Sequence, residues 1–278
     1  MPLLIEKVLE GYSATIFAYG LTGSGKTFTM GGPEHKVGMG TSESGIIPRS
    51  INEVFSQIDK MPDKDITKIR IFCSYMQIYN EKIYDLLNLQ KEAGSGLRLR
   101  WTKEEQFQVE NLFVFEVKNA EEAFGLFQYG NNNRIVASHS LNMTSSRSHA
   151  LFTLTVEKVT MAENMITTIS KFQLVDLAGS ERSSYGQNKA EQHVKESMEI
   201  NKSLFTLRKV IALLVEKNAV VPYRESKLTC LLKHSLGGNT YCLMVCDYID
   251  WMHISGGWIF GRKHKHSNLC YESKCNYQ

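Results

Sequence analysis

No apolar run in the sequence approaches the ~18 residues of a membrane span. The start, Met1-Pro2-Leu3-Leu4-Ile5-Glu6-Lys7, also lacks the long apolar core of a secretory signal. Together these absences predict an intracellular protein with no membrane insertion. The charge has no dominant sign: 32 basic and 29 acidic residues leave a net +3. No overall field therefore attracts a nucleic acid, and any acidic partner has to be met by a local patch. The six cysteines, Cys73, Cys230, Cys242, Cys246, Cys270 and Cys275, are scattered and fit reduced thiols better than a disulfide framework. There is no heptad stretch to support dimerisation through a coiled coil, and no Asn-Lys-x-Asp signal that would read guanine. What is present, 278 residues of which 42% are hydrophobic and 22% charged, is the composition of a soluble globular chain with room for a substantial core.

The most informative stretch is Gly20-Leu21-Thr22-Gly23-Ser24-Gly25-Lys26-Thr27. It fits Gly-x-x-x-x-Gly-Lys-Ser/Thr, a loop that wraps phosphate, and its fixed positions arise by chance in roughly one chain of this size in a hundred. The apolar run Ala14 to Tyr19 before it reads as a strand, and the residues after the loop can open as a helix. Glycines let the backbone bend until several N–H groups converge on one anion, and a helix N-terminus adds its positive end. In this motif Lys26 reaches the β- and γ-phosphates and the Thr27 hydroxyl takes a place on Mg²⁺.

Around that loop the spacing predicts a helix over Leu3 to Leu9 and a Gly/Pro-rich surface loop from Gly31 to Gly45. A helix with Pro48 in its first turn comes next, running through Ile51, Val54, Phe55 and Ile58. Two β-like runs follow, one over Ile66 to Ile78, interrupted only by scattered polar residues, and one over Tyr84 to Leu87, and Leu97 to Val117 reads as short strands. Ala120 to Asn133 is a helix with an Asn-rich end. A long amphipathic helix spans about Val194 to Val215, a second runs from Pro222 as far as Gly237-Gly238, and Tyr241 to Ile249 is a last strand.

Two further stretches gain weight from the phosphate loop. Asn142-Met143-Thr144-Ser145-Ser146-Arg147-Ser148-His149 is poor core material, because every hydroxyl, amide and ring would need a partner if buried. Phe172 to Arg182 is an apolar strand ending in Asp176, with Gly179 three residues on. P-loop enzymes use this pattern to set a carboxylate beside Mg²⁺ and a mobile N–H beside the γ-phosphate. Alone, Asp-x-x-Gly is an ordinary strand-to-turn signal.

Taken in order, AYGLTGSGKTFTM, NMTSSRSHALFTL, LVDLAGSER, INKSL and VPYRESKLT leading into SLGGN resemble the motifs of the kinesin motor domain over roughly residues 1 to 249. The resemblance implies a P-loop α/β fold, with a central mostly parallel β-sheet flanked by helices on both faces, and a microtubule-stimulated ATPase acting on the cytoplasmic cytoskeleton. ATP and Mg²⁺ are the implied cofactors. By residue it gives Gly20, Thr22, Gly23, Ser24, Gly25, Lys26 and Thr27 to the phosphates, with Thr27 and Ser146 on the metal and Asp176 on a metal-bound water. Asn142 and Ser145 would face the γ-phosphate and the attacking water, and the Gly179 N–H would sense that phosphate. Arg147 and Glu181 would pair as a salt bridge between the two switch segments. His149 is read as a hydrogen-bonding member of its loop and not as a catalyst. Tubulin contacts would come from Lys195, Lys202, Lys217, Arg224 and Lys227, residues that in another setting form an ordinary solvated face.

The sequence departs from the family pattern in three places. Leu21 stands where Gln is usual, at a position that donates through its backbone. The stretch that embraces adenine and the first strands of the sheet would precede Met1, and the last helix and neck linker would come after Tyr248. The family pattern is thus expected to be incomplete at both ends, with residues 250–278 a divergent, disordered tail. An alternative reading of so reduced a chain is a non-motile remnant that binds tubulin or another motor without productive hydrolysis. His264, His266, Cys270 and Cys275 match no zinc spacing well.

Overall fold

The computed structural model describes residues 2–33, 43–61, 67–88, 96–103, 106–141, 145–161, 165–181, 191–237, 240–246 and 260–261. In chain order, helix α1 (Pro2–Glu10) leads into strand β1 (Ser13–Tyr19), and the phosphate loop opens into α2 (Lys26–Gly31). Helix α3 (Ile46–Asp59) is followed by β2 (Thr67–Tyr79), β3 (Lys82–Asp85), β4 (Leu99–Trp101), β5 (Phe107–Val109) and β6 (Phe115–Val117). Helix α4 (Ala120–Leu141) runs to a 3-10 turn at Ser145–Arg147, then the long strands β7 (His149–Met161) and β8 (Met165–Asp176). Helix α5 (Glu191–Val215), a second 3-10 turn at Tyr223–Glu225, α6 (Lys227–Leu231), α7 (Lys233–Gly237), β9 (Thr240–Cys246) and β10 (Phe260–Gly261) complete the described chain.

The main sheet runs β10-β9-β1-β8-β7-β2-β3, with β6 also on β2. It is parallel from β10 to β8 and antiparallel from β8 to β3. The strand period of two sorts its side chains cleanly. Ile16, Phe152, Leu154, Phe172, Leu174, Cys73 and Tyr75 point to one face, where they pack with α1, α3 and α4 through Ile5, Val8, Ile51, Val54 and Phe127. Phe17, Leu151, Val175, Met76 and Ile78 point to the other, against Leu204 and Leu207 of α5 and Leu228 and Leu232. Each fully buried Leu, Ile or Phe contributes about 1.5–3 kcal/mol relative to exposure. The expected architecture, a P-loop fold with helices on both faces, is the one observed.

Where expectation and structure differ, tertiary contacts are the reason. Helix α4 continues past Asn133 to Leu141. Its asparagines do not end it, since Asn131 Oδ1 accepts from the Tyr75 hydroxyl (3.4 Å) and Asn133 Nδ2 donates to the Leu86 carbonyl (2.6 Å). The helix after Pro222 is broken into a 3-10 turn and two short helices, with Ser226 as N-cap of α6 and Leu232 off helical geometry at its end. The tail, expected to be without structure, contributes Phe260–Gly261 as a strand beside Val245–Cys246. The remaining tail residues, including the histidines and cysteines weighed for zinc, lie outside the described residues.

Candidate functional site

Register brings the three chemical stretches together. Ala18, at the end of β1, is opposite Asp176 in parallel β8, and Asp176 is opposite Ala150 at the start of antiparallel β7. The phosphate loop, the Asp176 turn and the hydroxyl-rich stretch therefore leave the sheet at one edge, at the carboxyl ends of the parallel strands where α/β folds place their ligands.

The loop itself needs its glycines: Gly23 and Gly25 sit at φ +79° and +101°, where an L side chain is strained. Gly25 is also the residue on which α2 begins. Lys26 is buried, with Nζ donating to the Leu21 carbonyl at 2.7 Å. Thr27 Oγ1 donates to Asp176 Oδ2 at 2.8 Å, joining the loop to the end of β8. Two backbone bonds reinforce the join: Ser180 N–H to the Gly20 carbonyl (3.1 Å) and Gly179 N–H to the Ser146 carbonyl (2.8 Å). The turn after Asp176 is thus bonded to the phosphate loop on one side and to the hydroxyl-rich stretch before β7, expected as the other switch segment, on the other.

Glu181 differs from expectation. Its carboxylate, read as the partner of Arg147, accepts from the Thr22 N–H (2.8 Å) and from the Thr22 hydroxyl. Burial raises its pKa, and the Thr22 bonds together with the charge of Lys26 lower it by more, so the net shift is downward. The physical reason for the partner is local: Thr22 offers two donors to one carboxylate, close to a cation. Arg147 ends the 3-10 turn and is half-buried. Only the backbone of Ser145 is described, and Asn142 lies outside the described residues.

The largest element missed in the sequence is Arg134 of α4. Its side chain is 5% exposed and Nη1 donates to Asp176 Oδ2 at 2.7 Å, while Nη2 reaches the Ser148 carbonyl at 3.3 Å. Burial pulls its pKa down, but Asp176 and Tyr75 raise it by more, so the guanidinium stays charged. An arginine in an Asn-rich run carries no local sign that it will be buried. His149 is also buried, and burial with the nearby charges of Arg134 and Lys26 pushes its pKa down to about 3.

Asp176 Oδ1 and Ser24 Oγ are buried without a hydrogen-bond partner among the described residues. Buried polar atoms are almost always satisfied. Orphans at the Asp176 carboxylate and in the phosphate loop therefore fit the expectation of a site that completes itself with a hydrated Mg²⁺ and phosphate oxygens. Magnesium keeps several waters and takes one or two protein groups plus substrate phosphates, and Thr27 with Asp176 offers that set.

The basic residues read as a partner surface lie along the α5 and α6 side. Lys202, Lys217 and Arg224 are exposed and Lys227 is half-buried, while Lys195 is described by its backbone alone. Two neighbours that the sequence did not single out join them. Trp101 on β4 has Lys233 Nζ 4.2 Å and Arg224 Cζ 5.6 Å from its ring centroid, both within cation–π range. No helix among the described residues is long and apolar enough to cross a membrane.

The chain matches the kinesin motor domain family over residues 1–250. It is similar, at 44% identity over 245 residues, to kinesin-like protein klp-20 of Caenorhabditis elegans, across 88% of this chain and 36% of that protein. Against chromosome-associated kinesin KIF4 of Mus musculus the identity is 42% over 245 residues, covering 87% of this chain and 20% of that one. A solved fast kinesin, described with its ATPase mechanism and its interactions with microtubules, superposes with a TM-score of 0.77 at 35% identity over 88% of this chain and 66% of its own. The chain thus spans only a minor part of the length of the two curated relatives.

Proposed function

The chain belongs to the kinesin motor domain family, and on that premise we propose that it binds and hydrolyses ATP with Mg²⁺ in step with binding to microtubules. The observation that carries the reading is the shared edge: the Ala18↔Asp176↔Ala150 register, with the Thr27–Asp176 and Gly179–Ser146 bonds, assembles phosphate loop and both switch segments in one place. Bound Mg²⁺-ATP supplies the reacting phosphoryl group and the charge that neutralises its oxygens.

The chain's own residues bind and orient. Gly20, Thr22, Gly23, Ser24 and Gly25 direct backbone and hydroxyl donors at phosphate, with Lys26 as the fixed cation. Thr27, Ser146 and, through water, Asp176 would hold the metal, which would supply charge to neutralise the phosphate oxygens, while Arg134 and Thr27 fix the Asp176 carboxylate through Oδ2. Asn142 and Ser145 position the attacking water, and Gly179 N–H exchanges the Ser146 carbonyl for the terminal phosphate. Glu181 leaves Thr22 for Arg147 when both switch segments close. Such a pair suits a switch, because one geometry exists only while the phosphate orders both loops. Catalysis by this route is positioning plus stabilisation of charge. Lys195, Lys202, Lys217, Arg224 and Lys227 face the acidic surface of tubulin, and the protein works on the microtubule cytoskeleton.

The test is phosphate release with and without microtubules. We expect stimulation in the parent chain, abolished by Lys26→Ala and by Glu181→Ala. Equal rates with and without microtubules in a folded sample would overturn the reading.

A further inference from the structure

Three separate segments meet on one imidazole. His149 Nδ1 accepts from the Ala178 N–H at 3.0 Å, and Nε2 lies 2.8 Å from Ser203 Oγ on α5. His149, Ser203 and Ala178 are all buried, at 2%, 2% and 0% exposure, so water cannot take over either role. The tautomer is set by the chemistry of the partners. A peptide N–H only donates, so Nδ1 must be the bare nitrogen, and the ring proton sits on Nε2, donated to the serine hydroxyl.

The grip on the turn is double. Gly179 N–H is on the Ser146 carbonyl and Ala178 N–H is on His149, so two successive peptide groups after Asp176 are held by residues three apart in the first switch segment. A displacement of that turn moves the imidazole, and the imidazole is bonded to α5 between Lys202 and Leu204. Leu204 and Leu207 bury the same helix against the sheet face that carries Phe17 and Val175. A satisfied core histidine needs two partners, but not two that belong to the phosphate-sensing turn and to the helix of the basic surface.

We infer that His149 is a positioning residue that couples the Asp176–Gly179 turn to helix α5, passing the state of the turn through Nδ1 and Nε2 to Ser203. The inference rests on the nucleotide reading of the site and adds the path by which that site reaches the partner surface. The relevant variants are Ser203→Ala, which removes only the far hydrogen bond, and His149→Asn, whose Oδ1 can replace Nδ1 while nothing replaces Nε2.

The test is hydrogen exchange of the α5 peptide around residues 203–210 in the whole chain, with Mg²⁺-ADP against the Mg²⁺ complex of a non-hydrolysable ATP analogue. In the parent, exchange rates of that peptide should differ about tenfold between the two nucleotides. In both variants the difference should fall below about twofold while nucleotide affinity stays within about threefold of the parent. A lost cap or a small cavity would speed exchange equally in both nucleotide states and would leave the difference intact. A difference that persists in both variants, or is missing in a parent that binds both nucleotides, overturns the coupling. A parent that binds neither nucleotide strikes the functional reading instead. Imidazole ¹⁵N spectra of the parent judge the ring independently: a bare Nδ1 with a protonated Nε2 is required, and a proton on Nδ1 would overturn the assignment.

Discussion

Arg134 and Asp176 are a pair of charges almost wholly out of water, a setting in which removing one partner is far more damaging than the pair is stabilising. Replacing Arg134→Met should therefore cost about 3–5 kcal/mol in urea unfolding and lower the melting temperature by about 10 °C. At Gly179 the constraint is space. An added Cβ would lie 2.5 Å from both carboxylate oxygens of Glu181 and against the Thr22 hydroxyl, so Gly179→Ala should slow phosphate release more than about tenfold while ADP affinity changes little. His149 makes a pH prediction with a definite sign. Its folded pKa of about 3 lies below its ordinary 6.5, so the unfolded chain binds the proton first, and the stability this gives is whole above pH 6.5 and drains as pH falls. The slope approaches ~1.4 kcal/mol per pH unit between about pH 6 and 4.5, above the range of the carboxylates. His149→Asn should flatten that part of the stability profile. At this scale the sequence disclosed Lys26, Thr27, Asp176 and Gly179, because each is fixed by a short local pattern. Arg134 stayed hidden because its role depends on β8, which is remote in the chain.

Among the elements, the turn between β2 and β3 has a function beyond reversing the chain. Asn80 and Glu81 both sit at positive φ, 50° and 56°, a two-residue hairpin geometry usually given to Asn and Gly. The Glu81 carboxylate accepts from Ser226 Oγ (2.8 Å) and from the Lys227 N–H (2.7 Å) at the start of α6. A less suited residue in the turn thus caps a neighbouring helix. Glu81→Gly should relieve the turn and uncap the helix. We expect a net loss of about 1 kcal/mol in thermal unfolding, together with weaker microtubule cosedimentation, since Arg224 and Lys227 flank that cap. Strands and helices with strong periodicity were legible in advance, notably β1, α3 and α5. The outer half of β8 was not, since Met165, Ile166 and Ile169 are exposed and are strand only because β7 supplies a hydrogen-bonding partner along its whole length. The break after Leu231 was equally invisible, being set by caps and packing more than by residue type.

For the molecule as a whole, the site draws on β1, α2, α4, β7 and β8 at once, so a ligand that fits it should stabilise the entire fold. At about 100 times its dissociation constant, Mg²⁺-nucleotide adds about 2.7 kcal/mol, a rise of about 5–10 °C in melting temperature. EDTA should return most of that rise, and Lys26→Ala should show none of it. Fold class was legible through the family resemblance that the ordered motifs carry, but the antiparallel half of the sheet was not, because nothing local tells a strand which way its neighbour runs. The alignment of Ala18, Asp176 and Ala150 also works as a ruler. Adding one codon within β8 would advance Asp176 by about 3.4 Å and turn every later side chain to the opposite layer, exchanging Leu174 with Val175. The same addition between Met161 and Met165, beyond the last of twelve rungs of pairing, leaves the ruler unmoved, so a reporter peptide spliced there should leave phosphate release at the parent rate.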